Sequence, residues 1–274
     1  MLRALLSWLA FPVYVWQGVG VRLRTERMLP PSGPVIHHVE GQGAPIRLLV
    51  LGDSSAASVG IGSTERGLAA LLAGMMARRT GRPVMWRAAG FNSATAVQLR
   101  DFVLPNMEPG AWTHVVLSVG SNDAKNFHTA RHFRRAFGGL LYAMRAKWPQ
   151  ARIVWSPVVD MTRMPALPPL LGKVLEIRAD IVNRVGTRLC MERGAVPAQR
   201  LPILDPAAGF STDGFHASEA GYDAWAEHLL PLVLGDDVSS SDGSAPSASS
   251  RKSQTARFSR SRRAASGPAG RADR

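Results

Sequence analysis

The sequence predicts a three-layer α/β/α domain around a parallel sheet of about five strands, and three features predict it. Short, apolar, β-branched runs alternate with longer helical stretches from Pro45 onward. Strands separated by helices must pair in parallel, because a parallel neighbour is reached only through a crossover connection. The length of 274 residues, 46% of them hydrophobic, suits one core plus appendages, since single cores stop growing near roughly 250 to 300 residues.

The strand candidates are residues 46–51, 84–86, 114–119, 153–156 and 203–204, each short and rich in Val, Ile or Leu. Helices are predicted near 64–79, 94–102, 129–147, 173–192 and 217–233. Three parts follow: an N-terminal apolar segment and linker over 1–44, a folded domain over 45–234, and a tail over 235–274. The tail is rich in Ser and Arg without apolar periodicity, so it is expected to be disordered.

Residues 4–21 are uncharged and mostly apolar, followed by Arg22, Arg24 and Arg27. A secretory signal would need a small-x-small cleavage site, and no Ala-x-Ala follows. A spanning helix needs about 20 apolar residues, and Pro12, Gln17, Gly18 and Gly20 weaken this run. A helix lying in a membrane interface fits better, with Trp8, Tyr14 and Trp16 at headgroup level and the arginines toward anionic lipid. A helix packed on the domain itself is the equal alternative. Residues 4–27 are therefore a candidate peripheral membrane contact. A cytoplasmic location, attached to the inner membrane face, is expected; export or anchoring through this segment stays open.

The formal charge of +13 is spread along the chain, and the basic stretch 251–274 carries almost no aromatic residue to stack on bases. No nucleic-acid partner is expected. The lone Cys190 makes no intramolecular disulfide and removes any cysteine-based zinc site. The histidines at 37, 38, 114, 128, 132 and 228 lack metal-ligand spacing with carboxylates, and His128 and His132 read as surface residues. Neither a metal nor a cofactor is expected.

Ligands of such sheets bind beyond the carboxyl ends of the strands, and there the informative residues fall. The first predicted strand ends in Gly52-Asp53-Ser54-Ser55, where a strand hands over to a helix. The second ends in Ala88-Ala89-Gly90, whose glycine lets a backbone N–H approach a ligand closely. The third ends in Gly120-Ser121-Asn122-Asp123, which offers a side-chain amide to an oxyanion. Asp213-Gly214-Phe215-His216 precedes the last helix. It supplies what a serine hydroxyl needs: an imidazole to take its proton and a carboxylate to fix the imidazole's tautomer. Each piece alone reads as a turn, a helix cap or a surface histidine; four in this order point to nucleophilic catalysis.

These four blocks resemble blocks I, II, III and V of the SGNH (GDSL-type) hydrolases over about residues 46–234. The resemblance implies a flavodoxin-like sheet and a serine esterase acting on small-molecule acyl esters or thioesters. It makes Ser54 the nucleophile and first oxyanion donor, Gly90 the second donor through its N–H, and Asn122 the third through its side chain. His216 becomes the base, Asp213 its orienter, and Asp53 a brace for the nucleophile turn. Ala217 stands where many members have Pro, and Ser93 where a second glycine often follows; both bear on loop geometry only. Residues 161–172 and the Trp16-Gln17-Gly18 stretch are similar to bacterial arylesterase and lysophospholipase-like members, which implies acyl-lipid or aryl ester substrates. A Met- and Pro-rich segment there flanks an acyl site or is a packed connector. Acyl transfer, carbohydrate O-deacetylation and a non-catalytic binding role remain the alternatives.

Overall fold

Residues 46–52 carry apolar side chains on both sides of the chain, as a strand buried on two faces must. In the computed structural model, which describes residues 2–108, 110 and 112–235, this run is β2 (Ile46–Gly52), inside a six-stranded sheet. The other strands are β1 (Ile36–Val39), β3 (Val84–Gly90), β4 (His114–Ser118), β5 (Arg152–Ser156) and β6 (Val196–Pro197), in the order β1-β3-β2-β4-β5-β6. From β3 to β6 across the sheet all neighbours are parallel, and β1 closes one edge antiparallel to β3. The five parallel strands have the 2-1-3-4-5 order of flavodoxin-like sheets.

The helices are α1 (Leu2–Leu9), α2 (Phe11–Arg24), α3 (Leu68–Thr80), α4 (Ala96–Gln98), α5 (Ser121–Lys125), α6 (Ala130–Lys147), α7 (Pro169–Glu192), α8 (Pro206–Gly209) and α9 (Glu219–Leu234). Side chains alternate across the strands, which produces the three layers. Leu49, Leu51, Val115, Leu117, Ile153 and Trp155 pack with α6 and α7, while Leu48, Val50, Val116 and Val154 pack with α3 and α9. Each such side chain stabilises the fold by about 1.5–3 kcal/mol on full burial. Gly186 lets α7 lie close against the sheet: a Cβ there would lie 2.3 Å from Cη2 of Trp155. Helix ends follow local chemistry. Thr129 Oγ1 accepts from His132 N at 3.1 Å to start α6, Ser218 Oγ accepts from Gly221 N at 3.1 Å to start α9, and Gly81 at φ 68° ends α3.

The N-terminal segment packs on the domain through one side. Trp8, Phe11 and Tyr14 surround the ring of Phe127, with centroid distances of 5.5, 5.3 and 4.4 Å. Tyr14 Oη donates to Lys125 O at 2.7 Å, and Gln17 Oε1 accepts from Leu171 N at 3.1 Å at the start of α7. The guanidinium of Arg178 lies over Phe127 and Trp8, at 5.0 and 5.7 Å from the ring centroids, so its burial is shared with aromatic faces.

Three expectations change. The sheet takes in residues 36–39 from the stretch expected to be linker, because β1 pairs with β3 from Ile36 opposite Arg87 to Val39 opposite Val84. Residues 203–204 form no strand: Pro202 lacks a ladder N–H, Leu204 is 86% exposed, and the short last strand lies earlier, at β6. The predicted helix over 94–102 becomes α4 followed by a π-helical turn, Leu99–Val103. Of the expected tail, 236–274 lie outside the described residues.

Candidate active site

The strand register sets the site. Gly52 lies opposite Gly90 on one side and Ser118 on the other, and Ser118 lies opposite Ser156. Four strand ends therefore finish level at the carboxyl edge. Gly90 is required there, since a Cβ would stand 2.2 Å from Gly52 O.

Beyond β2 the chain turns at Asp53, which is buried. Its Oδ1 accepts from Ser55 N at 3.1 Å and Ser55 Oγ at 2.9 Å, and Oδ2 accepts from Asn122 Nδ2 at 3.3 Å. Ser55 Oγ also bonds Ser118 Oγ. Burial pushes the Asp53 carboxyl up from its ordinary value, against the lowering pull of the Ser55 bonds, Lys125 and His216. Asp53 thus braces the turn that presents Ser54, whose side chain is partly open to the adjoining cavity.

The base loop is built around Asp213. Its Oδ1 accepts from Ser211 Oγ at 2.8 Å and from the backbone N–H groups of Phe215 and His216, both at 2.9 Å. Its Oδ2 lies 2.5 Å from Nδ1 of His216. Burial alone would raise this carboxyl, but the hydrogen bonds from His216 and Phe215 hold it well below the usual carboxylate range. With Nδ1 bonded to a carboxylate, the imidazole keeps Nε2 for other work.

Two contacts bring this loop to the nucleophile turn. Gly60, at φ 105°, passes so close that a Cβ would meet Ala217 O at 2.4 Å and His216 Cβ at 2.9 Å. Tyr222 of α9 donates its hydroxyl to Val59 O at 2.9 Å and to Ser55 O at 3.3 Å, and its burial raises its pKa. Ser54, Asn122 and His216 consequently line one cavity of about 270 Å³. Among the described residues no hydrogen bond joins Ser54 to His216; such bonds often tighten only once a substrate is bound.

Of the expected residues, Ser54, Asn122 and His216 thus share the cavity wall, while Asp213 and Gly90 do not line it. Asp213 sits behind His216, and Gly90 stands at the strand edge beside Gly52. The Asn122 amide is engaged, with Nδ2 donating to Ala94 O at 2.9 Å besides Asp53. The rest of the lining is mainly apolar, with Val158, Met164, Ile203, Phe210, Phe215 and Trp225 on the walls and Ser118, Ser121, Ser156 and Asp205 among the polar exceptions. Met164 is the part of the 161–172 segment that is buried on the cavity, while Met161 and Leu171 belong to the core beneath. His128 is no bare surface residue: its Nδ1 lies 2.9 Å from Oδ1 of buried Asp123, whose Oδ2 accepts from Ala96 N at 3.0 Å. Among the described residues no group of three His, Cys, Asp or Glu side chains is placed to hold a metal ion.

Two participants escaped sequence reasoning. Lys125 has its ammonium 4.3 Å from the Phe215 ring centroid. Burial lowers its pKa, Asp53 and Asp213 pull it back up, and Arg22 lowers it. Gly60 was the other. Neither stands in a spacing that marks it; only the positive φ of a glycine hints at such closeness.

A profile of the GDSL-like Lipase/Acylhydrolase family matches residues 50–224. The chain belongs to this family. As a GDSL-like hydrolase it is an ester-bond hydrolase. Its fold is that of the SGNH hydrolases, as solved structures of low identity agree. TesA aligns with a TM-score of 0.54 at 20% identity, covering 70% of this chain and 99% of that one. The lipase Lip_vut3 from a goat rumen metagenome gives 0.56 at 15%, with 70% and 99% covered. A putative GDSL-like lipase from Parabacteroides merdae gives 0.56 at 18%, with 69% and 95% covered. No curated protein matches the chain.

Proposed function

We propose that this GDSL-like hydrolase is a serine esterase that cleaves acyl esters or thioesters, of acyl-lipid or aryl type, through an acyl-enzyme on Ser54. The observation that carries the proposal is His216, held from behind by Asp213, on the wall of a cavity that Ser54 also lines. Nε2 of His216 takes the Ser54 proton as Oγ attacks the carbonyl carbon, and returns it to the leaving alcohol or thiol as that bond breaks. Water, deprotonated by the same imidazole, then releases the acid and restores Ser54. Negative charge on the tetrahedral oxygen is met by the N–H groups of Ser54 and Gly90 and by Asn122 Nδ2, whose longer bond to Asp53 is the one that yields. The apolar walls formed by Val158, Met164, Ile203 and Phe210 favour an acyl chain over a sugar.

Covalent labelling by a fluorophosphonate, followed by peptide mapping, tests the nucleophile: the label is expected on Ser54 and absent from Ser54→Ala. A p-nitrophenyl ester series of increasing chain length tests the substrate class. Labelling at another residue, or acetyl esters preferred over every longer chain, would overturn the corresponding part.

A further inference from the structure

α2 is apolar on two opposite sides, and the domain uses only one. Ala10, Tyr14 and Val21 pack against the core, and Gln17 bonds α7. At 100° per residue, Val15, Trp16, Val19 and Leu23 fall on the other side. All four are exposed, Trp16 by 76% and Leu23 by 81%, and Leu5 and Leu9 of α1 are exposed as well. Scattered apolar residues on a surface are ordinary, but a contiguous face of this size with a tryptophan at its middle is not. Arg22, Arg24 and Arg27 stand exposed at its C-terminal end, and Glu26 is the one acidic residue in the first 27.

We propose that this outward face docks on an anionic lipid bilayer, lying in the interface plane with its apolar residues among the acyl chains and its arginines at the phosphates. No helix of the described residues is long and apolar enough to cross a membrane, which suits a helix that lies on one. A second copy of the chain fits less well, because a twofold that pairs the helices in parallel would oppose the two arginine clusters, and an antiparallel pair would leave both clusters without acidic partners from the segment, whose one acidic residue is Glu26. Residues 236–274 offer Val238 and Phe258 as their large apolar residues amid many arginines, so they do not complement the face.

The docked segment borders the site loops. The cleft beside Asp213 and Thr212 is walled by Val21, Arg24, Thr25 and Glu26, and Met28 O accepts from Asn92 Nδ2 at 3.0 Å in the loop after Gly90. A bilayer bound at α2 therefore lies next to the catalytic loops. The docking goes beyond the esterase reading and stands without it, since it uses none of the residues assigned to chemistry.

Flotation of the full chain with phosphatidylcholine vesicles, with and without phosphatidylglycerol, tests the surface. Wild type is expected to float with the phosphatidylglycerol vesicles and much less with pure phosphatidylcholine. The double variant Trp16→Glu/Val19→Glu is expected to lose about tenfold or more in affinity, with turnover of a soluble short-chain ester within about twofold of wild type. Ser54→Ala is expected to float as wild type does, so failure of docking and failure of the nucleophile assignment read out separately. Should the glutamate variant fail to fold, Arg22→Gln/Arg27→Gln is expected to bind phosphatidylglycerol vesicles several-fold more weakly. Wild type that stays with the soluble fraction, equal flotation with both lipid compositions, or variants that float like wild type would each overturn the proposal. So would sedimentation showing a dimer that ignores vesicles and dissociates in Trp16→Glu/Val19→Glu, which would assign the face to a second copy.

Discussion

Asp213 grips His216 at two points, its Oδ2 lying 2.5 Å from the ring Nδ1 while its Oδ1 accepts the same residue's backbone N–H at 2.9 Å. One carboxylate thus fixes both the course of the loop and the tautomer of the ring. Asp213→Asn keeps the shape but presents an amide that can donate to Nδ1 and reverse the tautomer. Steady-state kinetics are expected to show kcat lower by about 10³- to 10⁴-fold, with a smaller change in KM.

The depressed pKa of Asp213 sets a pH dependence with a definite sign. A carboxyl whose folded pKa lies below its unfolded value adds stability above the unfolded value, near 3.9. That contribution disappears as pH falls toward the folded value. Urea midpoints followed from about pH 6 down to about pH 2 are expected to drop less steeply in Asp213→Asn than in wild type. Because Asp213 stays ionised across the working range, its own protonation should add no inflection to the pH profile of kcat/KM there.

Asn122 donates to Ala94 O at 2.9 Å and to Asp53 Oδ2 at 3.3 Å while buried. Asn122→Ala is expected to lower kcat by about 100- to 1000-fold, the loss of one oxyanion donor. It also strands two buried acceptors, so chemical denaturation should show a loss of about 1–3 kcal/mol. Unchanged stability would contradict these bonds; an unchanged rate would remove Asn122 from the mechanism.

Gly60 separates the nucleophile turn from the base loop by less than a methyl group's width. Gly60→Ala is strained at φ 105° and pushes on Ala217 O and His216 Cβ, so the two loops must part. A shift of about 1 Å costs on the order of 100-fold in kcat, and fluorophosphonate labelling of Ser54 should slow in proportion.

Cys190 is buried in α7 and its thiol is pushed up to about 12 by desolvation. Thiolate is the reactive form, so the native protein is expected to resist iodoacetamide near neutral pH and to take up one label per chain only in denaturant. Ready labelling of the folded protein would contradict the burial.

The parallel sheet and the four site blocks were legible because each depends on local pattern: alternation of β2, β4 and β5 between two cores, and turns whose chemistry lies within three or four residues, as from Asp213 to His216. β1 was not legible, since Ile36-His37-His38-Val39 gains its strand character from pairing with β3, a long-range contact. The contact between Gly60 and the base loop spans more than 150 residues and is equally invisible. The N-terminal run poses a different difficulty: its sequence is apolar on both sides, and only the fold separates the side packed on the core from the side left exposed.

The aromatic ring set of Trp8, Phe11 and Tyr14 around Phe127 makes the leading helices a side wall of the hydrolase body, tied by Tyr14 to the backbone of Lys125 two positions past Asp123. Exchanging that opening stretch for an unrelated sequence would therefore unroof Phe127 and loosen the segment that carries Asn122. In this architecture the leading helices and the catalytic loops share masonry.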